Sequence, residues 1–140
     1  MAKMTEEVRE KFLAATRLGI LTTLARDGAP ISMPVWFDWD GRAVRVFTGT
    51  DSAKVKRIRR DARISVLIVN HLDEKEAWVA FDGSAIIRQD GAVDLLERLA
   101  EKYWDMTDPG HQTTVASWKN EAESLCVIEL VPAQIRSQLG

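Results

Sequence analysis

The alternation of apolar and polar residues changes period several times along the chain, and each change marks an element. After Thr5, the run EEVREKFLAAT has early acidic residues and apolar positions at Val8, Phe12 and Ala15. That spacing predicts a short amphipathic helix capped by the threonine. Gly19 to Leu24 reads as a strand, Asp27-Gly28 as a turn, and Ile31 to Phe37 as a second strand following Pro30, which predicts a hairpin. Asp38-Trp39-Asp40-Gly41 forms the next turn. From Ala43 to Thr48, Val44 and Val46 share one face and Arg45 and Phe47 the other, so a third antiparallel strand is expected to follow the hairpin.

A short basic helix comes next. Ile64 to Val69 then forms an apolar strand, and residues 77 to 88, AWVAFDGSAIIR, supply another with a bulge or bend expected at Asp82-Gly83. Val93, Leu96, Leu99, Ala100 and Tyr103 make one stripe of a helix that should pack on the sheet. Asp105 to Gln112 reads as a loop, Thr113 to Asn120 as a short helix, and Ser124 to Val131 as the final strand, ended by Pro132. The fold class is mainly β: a six-or-so-stranded antiparallel barrel with flanking helices, expected as one domain over residues 1–140.

Charge changes the picture at one place. The net charge is only -2, yet Lys54, Lys56, Arg57, Arg59, Arg60 and Arg63 crowd into one segment. In VFTGTDSAKVKRIRRDAR a β-branched and aromatic strand runs through a Gly/Thr/Asp turn into a helix that Ser52 is placed to cap. First-turn amides and Lys54 then direct positive charge at one point, which suits a phosphate. The plainer reading is a solvated helix face; the position beside Ser52 favours the site. The overall charge argues against general nucleic-acid affinity.

The remaining chemistry is sparse. The single cysteine, Cys126, lies in the apolar run Leu125 to Val131 and reads as a buried thiol. His71 and His111 lack companions at metal-ligand spacing, and no G-x-S-x-G elbow occurs. No apolar run reaches the about 20 residues of a membrane span. The amino terminus, with Glu6, Glu7 and Glu10, lacks a signal-peptide core, so a cytoplasmic protein is expected. Of the tryptophans, Trp36 and Trp78 fall on strands able to approach a cofactor or a partner subunit, whereas Trp39, Trp104 and Trp118 read as packing aromatics.

The succession APISMPVWFDWDG, VFTGTDSAK, RRDARISVLIV and VAFDGSAII resembles the pyridoxamine 5'-phosphate oxidase-like split-barrel superfamily of flavin-binding proteins. Its most specific element is a strand ending in Phe-Thr, a turn, and Ser-x-Lys opening a helix, present here as Phe47-Thr48 and Ser52-Ala53-Lys54. The resemblance implies a split β-barrel homodimer with FMN, or alternatively a deazaflavin of the F-420 type, at the subunit interface. It also implies phosphate contacts from Ser52 and Lys54, and a ring-facing segment of Pro34, Val35, Trp36, Phe47 and Thr48. Lys56, Arg57, Arg60 and Arg63 would then be available to a deazaflavin's longer anionic tail.

Departures from the oxidase of pyridoxamine phosphate itself are specific. Positions where that enzyme carries a phosphate-holding Arg and a Lys are Met33 and Asp38 here, its Arg-Lys pair after Ser is Ala53-Lys54, and the chain ends VPAQIRSQLG in place of an Arg- and His-rich segment. Another oxidoreductase chemistry on a small molecule is therefore expected. No catalytic side chain is assigned, because hydride transfer belongs to the flavin. The competing reading is a non-catalytic binder of haem, through His71 or His111, or of single-stranded nucleic acid.

Overall fold

A computed structural model describes residues 2–140. Helix α1 (Glu6–Ala14) starts where expected, with the Thr5 side chain accepting from the Val8 amide. The chain then lays down β1 (Gly19–Leu24), β2 (Pro30–Val35), β3 (Asp38–Trp39), β4 (Val44–Gly49), α2 (Ala53–Arg60), β5 (Arg63–Val69), β6 (Ala77–Ser84) and β7 (Ile86–Arg88). Helices α3 (Ala92–Tyr103) and α4 (Pro109–Asn120) follow, and β8 (Leu125–Leu130) and β9 (Gln134–Leu139) close the fold.

The described residues thus form nine strands rather than six or so, in a five-stranded sheet β2-β1-β5-β6-β9 and a four-stranded sheet β3-β4-β8-β7. Strands enter the sheets alternately in pairs. β1 and β2 form the expected hairpin, Gly19 opposite Val35 and Leu24 opposite Pro30. β4 does not continue it: the chain leaves the first sheet at Trp36-Phe37, the Phe37 side chain is fully buried, and β4 pairs with β8. Between the sheets lies one apolar core that includes Leu21, Phe37, Val44, Val46, Ile68, Val79, Phe81, Ile128 and Leu130. Val55 and Ile58 of α2 also enter it, so the basic helix is amphipathic and held down by its apolar side.

Several boundaries differ from the expectation for identifiable reasons. β6 runs without a bulge through Asp82 and Gly83, opposite Ser65 and Ile64. The break falls at Ala85, where the chain crosses to the other sheet and the Ala85 amide donates to the Ala62 carbonyl, 2.8 Å. Gly83 serves close packing instead: an added Cβ would lie 3.0 Å from Leu130 Cδ1 and 3.1 Å from the Ala133 nitrogen. Since Leu130 is fully buried, Gly83→Ala is expected to cost roughly 1–3 kcal/mol of unfolding free energy, read from the urea midpoint.

Helix α4 begins at Pro109, inside the segment expected to be loop, because Asp108 accepts from the amides of Gly110 and His111 and proline suits the first helical position. Pro132 does not end the sheet; β9 follows it and pairs with β6. On α3 the buried set contains Leu95 as well as Leu96, Leu99 and Ala100. Trp36, Phe47, Trp104 and Trp118 gather on the helical side of the four-stranded sheet around Leu96, Ala100 and Val115, and Tyr103 packs against the adjoining cluster of Ala92, Leu95, Leu99 and Val127.

Candidate functional site

A cavity of about 370 Å³ opens between the end of β2, the middle of β4 and the start of α2. Pro34, Val35, Trp36, Phe47 and Lys54 line it, together with Val46, Leu18 and Trp118. Five of the seven residues singled out in the sequence are therefore brought together at one cavity. Thr48 and Ser52 are not on its wall. Thr48 is buried and its hydroxyl donates to Ser52 Oγ, 3.3 Å, which in turn accepts from the Val55 amide, 3.4 Å, as the cap of α2. Ser52 thus holds the helix start that carries Lys54.

Lys54 is the one cationic side chain on that wall. It is half-buried, and burial, followed by the Arg57 charge, pushes its pKa below the ordinary lysine value. No ion pair among the described residues involves it. A desolvated ammonium without a carboxylate is unfavourable unless an anion arrives. The rest of the basic cluster divides. Arg57 Nε donates to the buried Thr23 hydroxyl at 2.6 Å, and Arg63 pairs with Asp61 at 2.7 Å. Arg57 is thus tied to β1, whereas Arg63 stays exposed in a pair with its near neighbour Asp61, and Lys56, Arg59 and Arg60 stay exposed on α2.

The wall is held in place from behind. Trp36 stacks on Tyr103 at 5.1 Å and 10°. The Tyr103 hydroxyl donates to the Arg17 carbonyl at 2.5 Å and accepts from the Phe37 amide at 3.3 Å, which ties the entry of β1 to the exit of β2. Sequence reading missed Leu18, Val46 and Trp118. Val46 was legible only as core, and Leu18 is an exposed residue with no pattern around it. Trp118 lies three positions after buried Val115, on the inner side of a helix whose start was mistaken for loop.

The other aromatic and histidine candidates fall elsewhere. Trp78 does not border the cavity; its Nε1 donates to Gln138 Oε1 at 3.1 Å, beside a groove with Thr22, Ser65, Leu67, Val69 and Arg136. His111 stacks on Trp104 and its Nδ1 lies 2.9 Å from the Asp105 carbonyl. His71 is exposed beside Asp73 and Glu74, and Arg17 already occupies both Glu74 carboxylate oxygens, at 2.6 and 2.8 Å. Cys126 is fully buried opposite Thr48, as the apolar run predicts. No helix among the described residues is long and apolar enough to cross a membrane.

Two facing antiparallel sheets whose strands alternate in pairs, with helices closing the gaps, define a split β-barrel protein. The chain belongs to the pyridoxamine 5'-phosphate oxidase family, whose model matches residues 4–139. Among solved structures it is similar to an F420 reductase, with TM-score 0.73 and 21% identity over 90% of this chain and 94% of that one. It is similar to a conserved hypothetical protein from Mycobacterium tuberculosis, with TM-score 0.74 and 24% identity over 97% of this chain and 85% of the other. A FAD and heme binding protein from Mycobacterium smegmatis gives TM-score 0.71 and 18% identity, over 97% and 71% of the two chains. At these identities the likeness is one of fold. No protein of curated function matches the chain in sequence.

Proposed function

We propose that this chain is a flavin-type oxidoreductase that binds FMN, or alternatively an F-420-type deazaflavin, and passes hydride or electrons to a small molecule. The observation that carries the reading is Lys54, a half-buried cation without a carboxylate partner at an otherwise apolar and aromatic cavity. A planar ring fits against Pro34, Val35, Trp36 and Phe47, and a phosphate fits Lys54 and the first turn of α2, where Ser52 sets the helix end. The ring would supply the redox chemistry; the chain binds it, orients it and shapes the space for a substrate. Family membership and an F420 reductase of the same fold support this class.

Pyridoxamine phosphate is not the proposed substrate. Asp38 is engaged with Arg98 Nη1 at 3.0 Å, Met33 packs against the core, and the last residues form β9. A homodimer is part of the proposal, supported by the groove at Trp78, Leu67 and Val69 on the outward side of the five-stranded sheet, where Val69 is 41% exposed. The haem reading has less support, because neither histidine borders the cavity. The test is a pair of titrations, FMN and the deazaflavin separately, followed by visible absorption and ring fluorescence with mass analysis of released compound. Saturable binding of one is the expected result; binding of neither, or a haem absorption band in its place, would remove the reading.

A further inference from the structure

The aromatic residues beside the cavity are connected in a way that its lining alone does not require. Trp36 and Trp118 both border the cavity. Both also contact Trp104, which does not: the ring centroids of Trp36 and Trp104 are 4.8 Å apart at 88°, and those of Trp118 and Trp104 are 5.4 Å apart at 26°. Trp104 is half-buried, stacks on His111 at 4.4 Å and 11°, and borders a surface depression with Glu101, Asp105, Met106 and Thr107. Two indoles at the cavity therefore converge on a third, and that third ring reaches the surface.

The geometry points to an electron relay in which Trp104 links an oxidised ring in the cavity to a reductant in solvent. This rests on the flavin reading above. Electron exchange between π systems decays steeply with separation, and indole is among the side chains most easily oxidised by one electron, so contacting indoles make a path where aliphatic packing would not. Under light, the excited ring takes one electron from Trp36 or Trp118 and leaves an indole radical cation at the cavity wall. Trp104 refills that position, which moves the vacancy toward the surface and away from the reduced ring. A thiol in solution then reduces Trp104. Over two such cycles one dithiol loses two electrons and two protons as it closes to its disulfide, and the ring gains two electrons with protons from water. The relay assigns distinct roles to neighbouring residues: Trp36 and Trp118 accept the first vacancy, and Trp104 separates it from the ring.

The test uses the whole chain loaded with FMN, anaerobic, with dithiothreitol, under blue light. Ring fluorescence and the loss of the oxidised visible band are followed together. In the native chain the fluorescence is expected to be quenched and the band to bleach. Trp104→Phe, which keeps an aromatic ring in the packing, is expected to leave the quenching unchanged while bleaching slows several-fold. Trp104→Tyr, with an oxidisable ring, restores part of the rate. The double change Trp36→Phe with Trp118→Phe is expected to raise the fluorescence itself. Bleaching of Trp104→Phe at the native rate, or a loss of quenching in that variant alone, overturns the relay but leaves the flavin reading intact. Failure of the native chain to bind either FMN or the deazaflavin overturns both.

Discussion

Glu129→Ala is expected to lower the unfolding free energy by about 3 kcal/mol, the low end of the range for removing one partner of a buried ion pair. Glu129 sits on β8 with 3% of its surface exposed. Its two oxygens accept from Arg45 Nε and Arg88 Nε, each at 2.9 Å, and Arg45 Nη1 also donates to Asp40 at 2.6 Å. One carboxylate thus links β4, β8 and β7, and through Asp40 the turn after β3. The low end applies because Arg45 and Arg88 are 23% and 49% exposed and recover some hydration when the carboxylate goes. Urea unfolding with an unchanged slope reads the loss directly. A loss within about 0.5 kcal/mol, as for an ordinary surface change, would show that the network contributes nothing.

The pH dependence has a definite sign. Burial alone would raise the pKa of Glu129, but hydrogen bonds from Arg88 and Arg45 outweigh it and leave the group below the ordinary glutamate value. Asp40 is held well below its ordinary value, mainly by the hydrogen bond from Arg45. A folded-state pKa below the unfolded one gives stability that is complete above the unfolded carboxylate pKa of about 4.3. It is lost as pH falls through the folded-state value. The stability gap between the native chain and Glu129→Ala should therefore be constant near neutrality and narrow in acid. A gap that widened below the unfolded pKa would contradict the assignment.

The difference between what the sequence disclosed and what it concealed follows from the range of the interactions. The Thr5 and Ser52 caps, the span of β1 and the inward set Val44 and Val46 depend on neighbours within a few residues, and all were readable. The assignment of β4 to the second sheet depends on β8, about eighty residues away in sequence, and no local period encodes it. β9 was missed because QIRSQL is polar and half-exposed, a weak pattern for a strand lying at the sheet edge. At the site, Ser-x-Lys was legible because capping chemistry and charge coincide there. The local partners of Arg57 and Arg63 were not legible, because charge in a sequence does not reveal a contact such as Thr23 on another strand or the Asp61 pair. Trp118 could be placed at the cavity only once Asp108 and Pro109 were seen to start α4.

Lys54→Ala is expected to weaken FMN or deazaflavin binding by about 1.5–3 kcal/mol, roughly 10- to 150-fold in Kd, the cost of a lost charge-assisted contact. Lys56→Ala serves as the comparison. Lys56 is exposed on the same helix and does not line the cavity, so its removal changes only screened, longer-range attraction and should matter little at physiological salt. Because Ser52 caps α2 without help from either lysine, both variants should keep the helix, and the contrast isolates the cavity charge. Equal affinities in the two variants would remove Lys54 from the site. The pH dependence supplies an independent check. Burial lowers the Lys54 pKa, so the ammonium loses its proton before a free lysine would, and affinity in the native chain should fall as pH rises through that lowered value. Lys54→Arg keeps its charge throughout this range, so its affinity should show no such fall. Unliganded stability should move in the opposite sense. The folded chain carries the cost of a desolvated ammonium that the unfolded chain does not, so Lys54→Met should leave the empty protein at least as stable as the native chain while its affinity drops. That opposition between stability and binding is the mark of a residue kept for an anion rather than for the fold.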